Sequence, residues 1–95
     1  TPRTASIHRG SPSFLRTARR FVRRHPSLRG LLEDVLRQLE RDPRSPRLRF
    51  HALRGTHAGR HAVSLTYEHR IVFVLVVRRR EVVLLDVGTH DEVYG

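Results

Sequence analysis

The residues of this chain best suited to chemistry lie at its C-terminal end, in Gly88-Thr89-His90-Asp91-Glu92-Val93-Tyr94-Gly95. They follow directly on a strand-like apolar run, Val82-Val83-Leu84-Leu85-Asp86-Val87. A histidine just past a strand end is rigidly placed yet open to solvent. Imidazole, with an unperturbed pKa of about 6.5, takes or gives a proton near neutral pH. Tyr94 follows His90 by four residues and can fold back over the same edge. Upstream, Glu68-His69-Arg70 opens a second apolar run over residues 71–77. Such groups suit RNA cleavage by internal transfer. A base takes the proton of a ribose 2′-hydroxyl, the oxygen attacks the adjacent phosphorus, and an acid protonates the departing 5′-oxygen. A fixed cation stabilises the charge of the phosphorane-like transition state. Arg70 is the natural cation, because its planar fork can hold two phosphate oxygens. His90 and Glu68 are candidate proton carriers, and Tyr94 can stack on a base. Arg54, Arg60, His61 and His69 are the expected RNA contacts. The scheme requires no metal and no cofactor. Of the seven histidines, His57 and His61 have i, i+4 spacing, but they flank Gly59 in a loop.

The elements that must position these groups are legible in the pattern. Residues 4–9 read as a short strand around Ile7. Ser11-Pro12 reads as a helix start, with serine at the N-cap and proline at the first helical position. Phe14, Ala18, Phe21 and Val22 follow at helical spacing, with Arg16, Arg19, Arg20, Arg23 and Arg24 mostly off that stripe. His25-Pro26 ends this helix. Leu28, Leu31, Leu32, Val35, Leu36 and Leu39 mark a second, which Asp42-Pro43-Arg44-Ser45-Pro46 stops. Leu48, Phe50 and Ala52 alternate as in a strand, residues 54–59 form a glycine-bearing loop, and Val63, Leu65 and Tyr67 alternate again. The unbroken apolar run 71–77 predicts a central strand covered on both faces. Arg78-Arg79-Arg80 predicts a hairpin turn. A hairpin centred near Arg79 pairs residue i with about residue 158 − i, which sets Arg70 opposite Gly88. A tight turn at Glu68-His69 would set Tyr67 opposite Arg70. Both place Glu68, His69, Arg70 and His90 at one end of one sheet. The fold predicted is α+β, one domain over residues 1–95. An N-terminal strand and a two-helix hairpin pack on a C-terminal antiparallel sheet of three or four strands.

Composition bounds the partners. The 95 residues carry a formal net charge of +10, and all 19 basic residues are arginine. Such a domain attracts polyanions, nucleic acid first and an acidic protein partner second. Cysteine is absent, which excludes disulfides and cysteine-ligated zinc. No apolar run approaches the roughly 20 residues of a membrane helix, and no signal peptide is visible. A cytoplasmic protein without a membrane partner is expected.

Taken together, these motifs resemble the RelE/ParE superfamily of toxins from bacterial type II toxin–antitoxin modules, and within it the YafQ and YoeB kinds of messenger-RNA interferase. The likeness covers nearly the whole chain. It rests on the strand–helix–helix–strands order, on His51-Ala52-Leu53-Arg54-Gly55, on Glu68-His69-Arg70-Ile71-Val72-Phe73, and on residues 88–94. It implies a ribosome-dependent, metal-independent endoribonuclease of messenger RNA, neutralised by a cognate antitoxin. By this resemblance His90 matches the family's C-terminal catalytic histidine and Tyr94 the aromatic position after it. Arg70 matches the strand arginine of the YoeB kind, Glu68 stands where the YafQ kind has aspartate, and His51 matches a histidine before the Leu-x-Gly element. Ser64 falls where the YafQ kind carries another catalytic histidine, His69 where it has tryptophan, and Arg47 roughly where the YoeB kind has glutamate. Neither kind's full set is present; the expectation is a hybrid set built on Glu68, Arg70 and His90, with His51 or His69 taking the role of base if Glu68 does not. Two other functions fit the same chain: a ParE-like inhibitor of DNA gyrase, for which His90 and Glu68 are dispensable, and a non-catalytic RNA-binding module held by arginines.

Overall fold

The computed structural model describes residues 5–8 and 11–94. Strand β1 (Ser6–His8) leads into helices α1 (Pro12–Arg24) and α2 (Arg29–Arg41), followed by strands β2 (His51–Ala52), β3 (His61–Ser64), β4 (His69–Val76) and β5 (Glu81–Thr89), and a short helix α3 (His90–Tyr94). The expected ends of the first strand, Thr4 and Arg9, lie outside the described residues, as does Gly95. The five strands form one mixed sheet in the order β1-β5-β4-β3-β2. This corrects the expectation of a purely antiparallel sheet of three or four strands. β1 joins the sheet parallel to β5, pairing Ser6 with Glu81 and His8 with Val83. A three-residue strand carries no local signal of its partner, and long-range hydrogen bonding decides where it goes.

Ser11 caps α1: its Oγ accepts from the Phe14 N–H at 3.2 Å. The same hydroxyl donates to the Leu84 carbonyl at 2.8 Å, and Ser13 Oγ donates to the Leu85 carbonyl at 2.9 Å. Thr17 Oγ1 accepts from the Val87 N–H at 3.3 Å. β1 pairs β5 only as far as Val83. The hydroxyls of α1 satisfy backbone groups of the next stretch, which fixes the half of β5 that leads to His90.

The apolar stripes of α1 and α2 close on one face of the sheet. Phe14, Phe21, Leu32, Leu36 and Leu39 pack with Val63, Ile71, Phe73, Val82 and Leu84 in a continuous buried core. A smaller cluster of Ala62, Val72 and Val93, with Leu53, Leu85 and Tyr94 against it, lies apart from it beneath α3. Among the described residues no helix is long and apolar enough to cross a membrane.

The β4–β5 register is the predicted one at the end that matters: Arg70 faces Gly88, and Ile71 faces Val87. A bulge between Val72 and Phe73 then slips the pairing by one residue, and a single turn over Val77–Arg79 closes the hairpin. Two expectations need correction. Arg70 lies opposite Ser64, not Tyr67. Thr66 Oγ1 accepts from the N–H groups of Glu68 and His69, both at 3.1 Å, and this side-chain turn widens the connection and leaves Tyr67 92% exposed. The strand expected across Leu48, Phe50 and Ala52 shrinks to His51–Ala52. Pro46–Leu48 makes a helical turn instead, and Arg49 takes a left-handed conformation at φ 53°.

Candidate functional site

Strand alternation sorts the candidate residues between the two faces of the sheet. His69, Ile71 and Phe73 point to the helices; Arg70 and Val72 point the other way, toward the face covered by α3. The β2–β3 pairing sets His51 opposite Ala62, which belongs to that second face, and sets Ala52 opposite His61. Arg70 and His51 thus come to the face over which α3 folds.

Helix α3 brings His90 and Tyr94 together, one turn apart, with ring centroids 4.4 Å apart at 86°. Tyr94 is half-buried, and its hydroxyl lies 3.5 Å from His51 Nε2. Burial raises the phenol's pKa, and the nearby charge of Arg70 partly offsets this. Tyr94 is therefore a neutral hydroxyl at physiological pH. His51 Nδ1 lies 2.9 Å from the Arg49 carbonyl, which can only accept. In neutral His51 the proton therefore sits on Nδ1, and Nε2 presents its lone pair toward Tyr94. His90 is exposed, with Nδ1 3.6 Å from Asp91 Oδ1.

Arg70 Nη1 donates to the carbonyls of Thr66, Tyr67 and His69 at 3.1–3.2 Å. These bonds anchor the guanidinium at the turn without neutralising it. Arg70 joins no ion pair among the described residues. The site face thus offers an uncompensated cation, a lone-pair nitrogen at His51, an exposed imidazole at His90 and a phenol between the histidines. That set can bind an oxyanion and move protons beside it.

The remaining expected residues are placed differently. Glu68 sits exposed in the turn before β4, and its carboxylate makes no hydrogen bond or ion pair among the described residues. Arg54 and Arg60 are exposed on the loop between β2 and β3. His69 is corrected as an RNA contact. It is 6% exposed on the helix face, edge-on to Phe21 and His25, with Nδ1 2.8 Å from Thr66 Oγ1. Burial lowers its pKa, and His25 lowers it further. His61 also turns to the helix side, stacked on Phe50 at 4.9 Å, and burial lowers its pKa as well. One residue was missed: His57 Nε2 donates to the Tyr94 carbonyl at 3.2 Å and ties the glycine loop to the end of α3. Its i, i+4 relation to His61 pointed toward metal rather than toward this bond.

No family model and no curated protein matches the chain. Solved structures do. YafQ from E. coli strain BL21(DE3) superposes with a TM-score of 0.77 at 15% identity, covering 96% of this chain and 97% of that one. The YoeB/ParE toxin from Agrobacterium tumefaciens gives 0.72 at 18% identity, covering 92% and 98%. The toxin–antitoxin complex RelBE2 from Mycobacterium tuberculosis gives 0.67 at 20%, covering 95% and 100%. At such identities the likeness is one of fold, and over nearly its whole length this chain has the fold of the RelE/ParE-like toxins, as its sequence motifs implied.

Proposed function

We propose that this protein is the toxin of a type II toxin–antitoxin module and an endoribonuclease that cuts messenger RNA on the ribosome. The observation that carries the reading is the gathering of Arg70, His51, Tyr94 and His90 on one face, with Arg70 in no ion pair among the described residues. The toxin fold supports it.

In this reading Arg70 holds the scissile phosphate through the guanidinium N–H groups not spent on the turn carbonyls. His51 Nε2 takes the proton of the 2′-hydroxyl. The 2′-oxygen bonds to phosphorus as the P–O5′ bond breaks, leaving a 2′,3′-cyclic phosphate. His90, protonated, delivers a proton to the departing 5′-oxygen. Tyr94 sets the spacing between the two imidazoles and offers a ring for base stacking. General acid and base each supply roughly 100- to 10,000-fold, and the fixed charge as much again. Both proton transfers are accounted for by side chains, so the scheme calls on no metal ion or cofactor. Glu68, exposed on its turn, is the competing base. Arg54 and Arg60 are left as RNA contacts. In this reading the ribosome supplies substrate geometry that naked RNA lacks, and the protein works in the cytoplasm. A cognate antitoxin is its proposed partner, in keeping with the toxin–antitoxin complex among its structural neighbours.

The test is induced expression without a partner, with RNA 5′ ends mapped genome-wide. New ends inside translated codons, together with arrested translation, are expected. Intact messages with gyrase-linked DNA breaks would replace this reading with gyrase inhibition. Salt-sensitive RNA binding without cleavage would replace it with a binding module.

A further inference from the structure

We infer that Glu92, backed by Arg24, is a positioning residue: it seats the helix that carries His90 and Tyr94, and so sets both against Arg70 and His51. Its consequence for catalysis rests on the function proposed above; its geometry does not. A helix of five residues has no stability of its own in water, so tertiary contacts must hold it. Glu92 Oε1 accepts from the Thr89 N–H at 2.8 Å, and Thr89 Oγ1 accepts from the Glu92 N–H at 3.2 Å. This is a reciprocal capping box, Thr-x-x-Glu, at the junction of β5 and α3. The second carboxylate oxygen reaches Arg24 Nη1 at 3.2 Å, joining α3 to the last turn of α1.

Gly88 belongs to the same device. A Cβ there would lie 2.9 Å from Glu92 Oε1 and 3.2 Å from Glu92 Cβ. The carboxylate therefore packs over the backbone where a side chain would displace it. Gly88 is also the residue opposite Arg70, so cap and cation share one cross-strand pair.

The capping bond outweighs the ion pair. The Arg24 and Glu92 side chains are 61% and 41% exposed, and exposed pairs contribute little. The Glu92 carboxyl is held below its ordinary pKa first by the Thr89 backbone N–H, with Arg24 a lesser cause. Both of its oxygens are committed, so Glu92 is not the base. A glutamine keeps the acceptor for Thr89 and loses only the charge, whereas an alanine loses both.

The experiment pairs cleavage kinetics on programmed ribosomes with NMR of the wild type, Glu92→Ala, Glu92→Gln and Gly88→Ala. The His90 ring protons, edge-on to Tyr94, report α3 through their ring-current shifts, and amide exchange at residues 89–94 reports its docking. Glu92→Ala and Gly88→Ala should return the His90 shifts toward free histidine and speed exchange in α3. They should lower kcat by roughly 10- to 100-fold, with KM nearly unchanged. Glu92→Gln should keep the native shifts and kcat within about threefold. Thermal melts of the same samples should confirm that the core beneath α1 and α2 remains folded. Unchanged His90 shifts and exchange in Glu92→Ala overturn the inference, as does a Glu92→Gln variant as impaired as the alanine. Should the wild type cleave nothing, the reading under test would be the nuclease assignment, and the NMR arm would still decide the role of Glu92.

Discussion

Replacing Arg70 with alanine separates catalysis from stability by magnitude. In the fold, Arg70 Nη1 makes three bonds to carbonyls of its own turn, at 3.1–3.2 Å. Tyr67 beside them is 92% exposed, so water can take over much of this bonding. The net loss should be about 1–2 kcal/mol, which lowers Tm by roughly 5–10 °C in a domain this size. A domain with about 5 kcal/mol of stability then remains about 99% folded at 25 °C. In the proposed reaction the same guanidinium is the one fixed charge on the transition state. Losing such a group costs about 100- to 1,000-fold in kcat, or about 3–4 kcal/mol. Unfolding cannot account for a loss of that size. Arg70→Lys keeps a charge but cannot bond the turn and fork a phosphate at once, and should fall between, about tenfold below wild type. Single-turnover cleavage on ribosomes, corrected for folded fraction by circular dichroism, measures both quantities. An alanine variant that cleaves within about threefold of wild type per folded molecule refutes the role given to Arg70. So does a loss of activity that merely tracks its unfolded fraction.

Other outcomes follow from the same geometry. His51→Ala should abolish the acid-side limb of the pH–rate profile and His90→Ala the alkaline-side limb, while Glu68→Gln leaves both; loss of the acid-side limb in Glu68→Gln instead would make Glu68 the base. His69 and His61 have folded pKa values below the ordinary 6.5, so the stability tied to their neutral forms is complete above that pH and is lost as pH falls through it. Tm should therefore drop between pH 7 and 5, and less so in His69→Gln. Asp86 has the opposite sign: burial raises its pKa above the ordinary 3.8, so the strain of its buried charge is relieved as acid protonates it. Leu39, with no exposed surface, should cost about 2–5 kcal/mol when replaced by alanine, seen as a lower urea midpoint at unchanged m-value.

Local rules carried the sequence a long way. Ser11 and Pro12 start α1, and His25-Pro26 ends it, because caps and proline act within a few residues. The Arg78–Arg80 turn between two apolar runs fixed the antiparallel register to within a residue; next to the turn Val76 faces Glu81, and it is the bulge between Val72 and Phe73 that brings Arg70 opposite Gly88. Tyr94 folds back over the edge that carries His90, as expected, but on a short helix, α3, to which the residue pattern does not point. Alternation even required His69 and Arg70 to point to opposite faces of β4. What it could not decide was which face the two helices would cover. Only their packing sends His69 into the core beside Phe21 and leaves Arg70 on the open side. The Thr66 turn was missed because a hydroxyl bonding two backbone amides leaves no trace in hydrophobic periodicity. His51 meets Tyr94 across 43 residues, and Arg24 meets Glu92 across 68. Such meetings have no sequence signal of their own. They exist because β2 and β5 are strands of one sheet, and because α1 lies against the strand from which α3 springs.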